Sequence, residues 1–522
     1  MLCGANPCGS VKMRPREKVE ALPTGRSDWR QFRIGHDPFV AMISSCPCLK
    51  AIPVWLPCFL GLVASAAAGT PGWPQFRGPD CSGVAAQARP PVAVSPTNGV
   101  LWSIDVPWSP SSPCIWGERL FLTTFDDGQL QSRCYDLRNG NLLWTKGLKA
   151  EKLEAYHTTE NSPAAPTPAT DGKRVVCYFG SFGLVGYDLR GNELWRHPLS
   201  VALSGGGYGT GTSPIIVGRL AILDRDQDQN SSLLAVDAAT GKTVWETARP
   251  DATGSFGTPV IWRNEGVDQL VVPGCLRLQG YNLKDGKELW TASGTATFAC
   301  TTPVVGDGWL YYAGWSPGKT DAPWPSWEAF LQRYDKNNDG AVTPDELPES
   351  DRPFMTGADV NHDGKITKED WDIIQSRNAQ GRNVMIALKP GGHGDITKTH
   401  VAWEVNRGLP YVPSPLFYQG RVYLIKDGGM LSSFDAKTGK PYYLQERIGA
   451  ESSYYASPVA AAGRIYVASL TGKVTVVKAG GDKPEILNQA DFGDRIFATP
   501  ALVGNRIYLR TQKRLYALGD AK

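Results

Sequence analysis

Two twelve-residue stretches place oxygen-bearing residues at the spacing needed to surround one hard cation. In the first, 335–346, side-chain oxygens fall at positions 1, 3, 5, 9 and 12: Asp335, Asn337, Asp339, Thr343 and Glu346. Gly340 stands at position 6, where the chain must turn sharply, and Ala341 offers its carbonyl at position 7. The second, 359–370, repeats the order with Asp359, Asn361, Asp363, Gly364, Lys365 through its carbonyl, Thr367 and Asp370. A calcium ion asks for roughly six to eight hard oxygen ligands around one point, and both stretches can supply such a set. Position 12 differs. Glu346 reaches far enough to chelate with both oxygens, whereas the shorter Asp370 predicts a weaker second site.

Such loops need a helix on either side to hold their ends. The flanking residues predict one at 326–334, before the first loop, and one at 368–377, after the second. Together they match an EF-hand pair. Other chemical motifs are incomplete in the chain. Gly314-Trp315-Ser316-Pro317-Gly318-Lys319-Thr320 resembles a phosphate loop but is one residue short and leads into no helix. The glycine-rich run from Gly205 to Gly211 reads as an inter-blade loop. The histidines His157, His197, His362, His393 and His400 lack zinc spacing, and neither a Cys-x-x-Cys nor a Gly-x-Ser-x-Gly elbow occurs. No catalytic residue is assigned.

The rest of the chain repeats one phrase, a strand, then Asp-x-x-Thr-Gly-Lys, then a second strand carrying Trp. The clearest copy is Leu234-Ala235-Val236-Asp237-Ala238-Ala239-Thr240-Gly241-Lys242-Thr243-Val244-Trp245. Others end at Trp144, Trp195, Trp290 and Tyr443. The phrase encodes a tight antiparallel hairpin, in which Asp or Asn bonds its own backbone at the bend and Gly takes the left-handed position. A second mark, Ser-Pro or Thr-Pro, precedes an apolar strand at Ser112, Thr167, Ser213, Thr258, Thr302, Ser414, Ser457 and Thr499. Most intervals are roughly 45 residues, the period of a four-stranded propeller blade.

The long interval from Thr302 to Ser414 holds the EF-hand pair, read as an insertion over 321–382 in the fifth blade. The last blade, after Thr499, is one strand short, and the segment around Trp102 is a Trp-bearing strand with no blade before it. Pairing the two closes the ring. The expected fold is all-β: one eight-bladed propeller over 100–522 with a small helical insertion. An extended arm at 69–99 precedes it, with Trp73 and Phe76 as docking points.

Residues 51–68 are apolar, follow Lys50 and end in Ala64-Ser65-Ala66-Ala67-Ala68, as a secretory signal does. About fifty residues stand before it. Either the true start is Met42, or 1–68 is a genuine extension with a signal anchor. Export to a periplasmic or secreted location follows from the signal. Of the eleven cysteines, Cys81, Cys114, Cys134, Cys177, Cys275 and Cys300 remain in the mature chain, an even number that permits disulfides without requiring them. The net charge of +3 forms no basic face, which argues against a nucleic-acid partner.

The loops just before the Ser/Thr-Pro marks open on one face. They carry His157, Glu160, Tyr208, Phe256, Phe298, Tyr411, Glu451, Tyr454, Tyr455, Asp494 and Arg495, and the polar stretch Asp224, Asp226 and Asp228 adds to them. These residues are candidates to line a funnel that takes a small polar ligand or a protein partner. Alternatively, the rings simply pack between blades.

The phrase from Ala235 to Trp245 resembles the tryptophan-docking motif of propeller repeats related to the pyrroloquinoline quinone (PQQ) enzymes. The resemblance spans about 73–519 apart from the insertion. That superfamily includes quinoprotein alcohol dehydrogenases and also BamB-type scaffolds without catalytic activity. The Trp73-Pro74-Gln75-Phe76-Arg77-Gly78 opening and the EF-hand pair look like exported bacterial members of it. The enzymes carry an adjacent Cys-Cys disulfide, extra segments around the cofactor, and a Glu, Asn and Asp set around calcium, none of which can be placed here. The resemblance therefore implies a calcium-binding scaffold for a ligand or protein. A PQQ-dependent oxidoreductase acting on alcohols or sugars is the alternative, with PQQ possible but not favoured and Asp224, Asp226 and Asp228 as base or ion ligands.

Overall fold

The computed structural model describes residues 72–316, 325–349, 351–352, 357–361 and 363–520. The signal-like leader at 1–68, most of the phosphate-loop-like stretch after Ser316, and His362 lie outside them. Eight sheets, each built on four antiparallel strands and two of them extended by a fifth, form the blades of a propeller. The third is typical: Ile215–Val217, Leu220–Arg225, Ser232–Asp237 and Thr243–Ala248, in that order from axis to rim. The expected fold class is the one observed. The eighth blade is made from both ends of the ring, because Val100–Asp105 pairs with Arg514–Gly519 and sets Trp102 opposite Ala517.

The Ser/Thr-Pro marks sit where the innermost strands begin. Each donates its backbone N–H to the hydroxyl of the next mark. Ser112 donates to Thr167 at 3.0 Å, Thr167 to Ser213 at 3.0 Å, Ser213 to Thr258 at 3.1 Å, and Thr258 to Thr302 at 3.0 Å. Thr302 then donates to Ser414, Ser414 to Ser457, Ser457 to Thr499, and Thr499 back to Ser112, all at 3.0 Å. Eight hydrogen bonds thus form a closed hoop around the axis, and all eight residues are buried. The proline after each mark has no N–H to leave unpaired at this crowded edge.

At the rim, tryptophan does the joining. Trp102, Trp144, Trp195, Trp245 and Trp403 each donate their indole N–H to a carbonyl in the turn of the next blade, at Leu137, Leu189, Ala238, Leu283 and Ala436. The ring lies flat on the glycine of that turn. A Cβ at Gly241 would come 2.5 Å from the Trp195 ring, and its φ of +69° is itself a glycine conformation. The fourth blade departs from this scheme. Trp290 donates within its own blade, to Gln269 Oε1 at 2.7 Å, and a short parallel strand, Gly394–Asp395, covers its outer edge.

The arm after Gly72 crosses the propeller from blade one to blade eight. Gly72–Trp73 adds an inner strand to blade one. Arg77 is fully buried and donates to the carbonyl of Pro415 at 2.6 Å, Val84 bridges Ala460, and Tyr466 donates to the carbonyl of Pro91. Burial lowers the Arg77 pKa to about 10, so it remains a cation at neutral pH. The cysteines described are free thiols, and Cys114, Cys134 and Cys177 share one core between blades one and two.

The EF-hand pair leaves blade five between its second strand, Trp309–Gly314, and its third, Val384–Leu388. Its stem is clasped by Ser316 and Asn383, which exchange hydrogen bonds of 2.9 and 3.1 Å. Helix α1 spans Trp327–Tyr334 and α2 spans Lys368–Gln380. They enclose a core of their own made of Trp327, Phe330, Val342, Leu347, Ala358, Ile366 and Trp371. No helix among the described residues is long and apolar enough to cross a membrane.

Two consequences can be measured. Thr167→Val keeps the shape but removes the acceptor for the buried Ser112 N–H, so it should cost about 1–3 kcal/mol in denaturant unfolding. Thr167→Ser, which keeps the acceptor, should lose only about 1 kcal/mol for the missing methyl. Glu154 is 2 % exposed and accepts from both the N–H and the hydroxyl of Thr210, yet burial pushes its pKa up to about 7. The folded state therefore binds a proton that the unfolded chain has already released, and stability should fall as pH rises from about 4.5 to about 7. Glu154→Gln should flatten that fall, which is on the order of 2–3 kcal/mol between pH 5 and pH 8 in paired unfolding curves.

A candidate binding chamber under the EF-hand pair

The marks that close the ring also position the site. The residue two places before each mark is Pro110, Ala165, Gly211, Phe256, Cys300, Val412, Tyr455 or Phe497, and all eight line one cavity of about 680 Å³. That volume lies within the roughly 300–1,000 Å³ of small-molecule sites. The set is lopsided. Blades one to three contribute Pro, Ala and Gly, and most of the others contribute bulky side chains, so the room lies on the side of the first three blades. Phe76 of the arm enters from the far end of the axis. On the near side the wall is completed by the EF-hand pair, through Gly357 and Ala358 before its second loop and Ile374, Arg377 and Asn378 on α2.

Of the residues singled out from sequence, Glu160, Tyr208, Phe256, Phe298, Tyr411, Tyr455 and Asp228 meet in this chamber. His157 supports it from behind, its ring stacked on Tyr208 at 4.2 Å. The others do not enter. Glu451 pairs with Arg447 at the surface, and Tyr454 is buried with its hydroxyl on the Ala450 carbonyl. Asp494 accepts the Lys513 N–H, and Arg495 lies over the Phe497 ring. Burial raises the pKa of Tyr208, Tyr411 and Tyr455, so their phenols stay protonated and can donate.

Asp224, Asp226 and Asp228 do not act as one cluster. Asp224 lies inside the strand Leu220–Arg225 and is fully buried. Asp226 takes a two-pronged bond from Arg249 at 2.6 and 2.8 Å, and Arg249 also donates to the Tyr281 hydroxyl. Burial and the adjacent Asp226 charge hold Asp224 well above the carboxylate range, which leaves a neutral acid beside an ion pair. Only Asp228 faces the chamber.

Sequence reasoning missed Cys300, Val412 and Phe497, although the fixed offset before each mark would have found them. It also missed Ile374, Arg377 and Asn378. Nothing in a helix after a calcium loop announces that its flank faces a propeller axis.

In the first EF-hand loop, Asp335 accepts from the N–H groups of Asn338 and Gly340, and Glu346 folds back to accept from Lys336, Asn337 and Thr343. Asn337 donates to Asp339 at 2.9 Å, so positions 3 and 5 are neighbours. The second loop repeats the pattern. Asp359 accepts from Asp363 and Gly364, while Asp370 accepts from Val360, Asn361 and Thr367. Val342 and Ile366 pair across the two loops as an antiparallel bridge. Among the described residues, no three Asp, Glu, His or Cys side chains are drawn together as a closed metal cage. The donor types and the inward fold of position 12 nonetheless suit a hard cation, with the Asn337 and Asn361 amides and the Ala341 and Lys365 carbonyls completing the sets.

The family model described as outer membrane protein assembly factor BamB matches residues 83–206, 200–311 and 385–522. The EF-hand model matches 328–348 and 358–373. No curated protein is significantly similar to the chain. Among solved structures, the quinohemoprotein alcohol dehydrogenase of Comamonas testosteroni aligns with a TM-score of 0.55 at 11 % identity, over 88 % of this chain and 82 % of its own. The computationally designed Ika8 protein aligns with a TM-score of 0.51 at 10 % identity, over 81 % and 100 %. BamB from Moraxella catarrhalis aligns with a TM-score of 0.49 at 14 % identity, over 80 % and 96 %. At such identities the first two speak for the propeller fold alone. The family model covers more than half of the chain outside the EF-hand insertion, and the chain therefore belongs to the family of outer membrane protein assembly factor BamB.

Proposed function

We propose that the protein is an exported, non-catalytic scaffold that takes a small polar ligand or a segment of a protein partner in its funnel. Its EF-hand loops hold calcium. The chamber carries the reading. Its rim of phenols and phenyl rings, with Glu160, Asn161 and Asp228 among them, offers broad apolar contact with a few polar groups to fix orientation. The leader at 1–68 supplies the address, with an arm at 69–99 and the propeller after it. Calcium would lie between Asp335, Asn337, Asp339, Ala341, Thr343 and Glu346, and more weakly between Asp359, Asn361, Asp363, Lys365, Thr367 and Asp370.

A PQQ-dependent oxidoreductase is the second reading, suggested by the axial chamber and by the alcohol dehydrogenase among the fold neighbours. The electrostatics favour it less. PQQ carries three carboxylates, and the chamber wall offers one guanidinium, Arg377, against the carboxyl groups of Glu160 and Asp228. Reconstitution decides between the two. After incubation with PQQ and calcium, gel filtration should leave no cofactor absorbance on the chain and no dye reduction with alcohols or sugars. Retained absorbance with turnover would reverse the assignment.

Calorimetry of the mature chain should show two calcium sites of unequal affinity. Glu346→Gln should weaken the tighter one about tenfold or more, since ligand charge sets the affinity of these loops. Removing calcium should leave the unfolding transition of the propeller in place, because the insertion buries its own core.

A further inference from the structure

The second EF-hand loop is built into the wall of the chamber. Gly357 and Ala358, which line the cavity, lead directly into Asp359 at the start of the loop. Asp370 at its end lies in the first turn of α2, and Ile374, Arg377 and Asn378 line the cavity from the next two turns. Asp370 joins these two pieces. It is 1 % exposed and accepts from Val360 and Asn361 at the loop start, at 3.0 and 3.2 Å, and from Thr367 at the helix start.

The same unit is pinned to the propeller at both ends. Gly357 rests on the glycine turn of the loop between blades two and three. A Cβ there would lie 3.3 Å from the Gly206 nitrogen, and Asp228 flanks the contact. Beyond α2, Arg382 donates its N–H to the Thr295 carbonyl at 2.8 Å, and Gly381 packs on Thr297, itself a cavity residue. A cation drawn between Asp359, Asn361, Asp363 and Asp370 acts on both supports at once. Without it, the carboxylates at positions 1, 5 and 12 repel one another. A helix is stiff over two turns, so a change at Asp370 is carried to Arg377, about 10 Å along the axis.

We infer that calcium at the second loop and occupancy of the funnel chamber are coupled, with calcium holding α2 against the chamber and restricting entry to it. This rests on the calcium reading proposed above and adds the regulation of the same site. Coupling of this kind is reciprocal, so a ligand that touches α2 also changes the affinity for calcium.

Cys275 and Cys300 line the chamber and provide the readout, while Cys114, sealed in a blade core, reports any global opening. The mature chain is treated with a small neutral disulfide reagent, with and without calcium, and labelled peptides are followed by mass spectrometry. Saturating calcium should slow labelling of Cys275 and Cys300 by about fivefold or more, the lower end of ordinary allosteric coupling, with Cys114 unlabelled throughout. Asp359→Ala combined with Asp363→Ala, at a half-buried and an exposed position of the loop, should abolish the slowing. Gly357→Val should keep calcium uptake by calorimetry and lose the slowing, because the contact with Gly206 is gone. Calcium heat at the second loop with unchanged labelling would overturn the coupling and leave the calcium reading intact. Equal slowing in the double variant would do the same. Absence of calcium heat at that loop would overturn both.

Discussion

A hoop of eight hydrogen bonds at the axis holds this propeller in register. A ring of sheets has no single core, and each blade touches only its neighbours. Its closure depends on a contact that repeats and then returns to its start. The hydroxyl of each Ser or Thr accepts from the blade before it, and the chain of donors ends where it began, at Ser112. Because both partners are buried, each link carries the cost of an unmade bond as well as the gain of a made one. The tryptophans at the rim repeat the logic with larger area, an indole laid on the glycine of the next turn.

This arrangement separates scaffold from site. The marks are uniform because geometry allows only a short side chain with an acceptor oxygen. Two residues earlier the constraint vanishes, and the eight positions vary from Gly211 to Phe256. The chamber is shaped by that variation. It is closed from the far end by Phe76 and bounded at the mouth by a helix that belongs to a different module. The buried Arg77 beneath it, bonded to the Pro415 carbonyl, ties the arm to the ring.

The EF-hand pair shows how a module can be added to a propeller without disturbing it. It enters between the two middle strands of one blade, through a stem clasped by Ser316 and Asn383, and carries its own aromatic core. An irregular joint lies elsewhere, at the longer connection between the third and fourth strands of blade five: Trp290 bonds inside its own blade, and Gly394–Asp395 from that connection covers its edge.

The sequence by itself determined the eight repeats, the strand order within a blade, the closure through Trp102 and the two calcium-type loops. Each of these rests on local spacing: a two-residue alternation, a turn that needs Asp and Gly, oxygens at alternate positions of a loop. Local spacing also marked Ser112 to Thr499 as punctuation but gave no reason for it. Only the ring supplies one, since a hydroxyl shows its role only when the N–H of another blade reaches it across some 45 residues of chain. The same holds for the chamber. Asp224 and Asp226 read as part of a polar stretch at the funnel and are in fact buried beside Arg249, Asp224 inside a strand and Asp226 in a two-pronged ion pair. Arg377 is read only as the end of the helix after the second calcium loop, and Asn378 is not singled out at all. They face the axis because the stem in blade five and the contact of Gly357 with Gly206 fix how the inserted module lies on the ring.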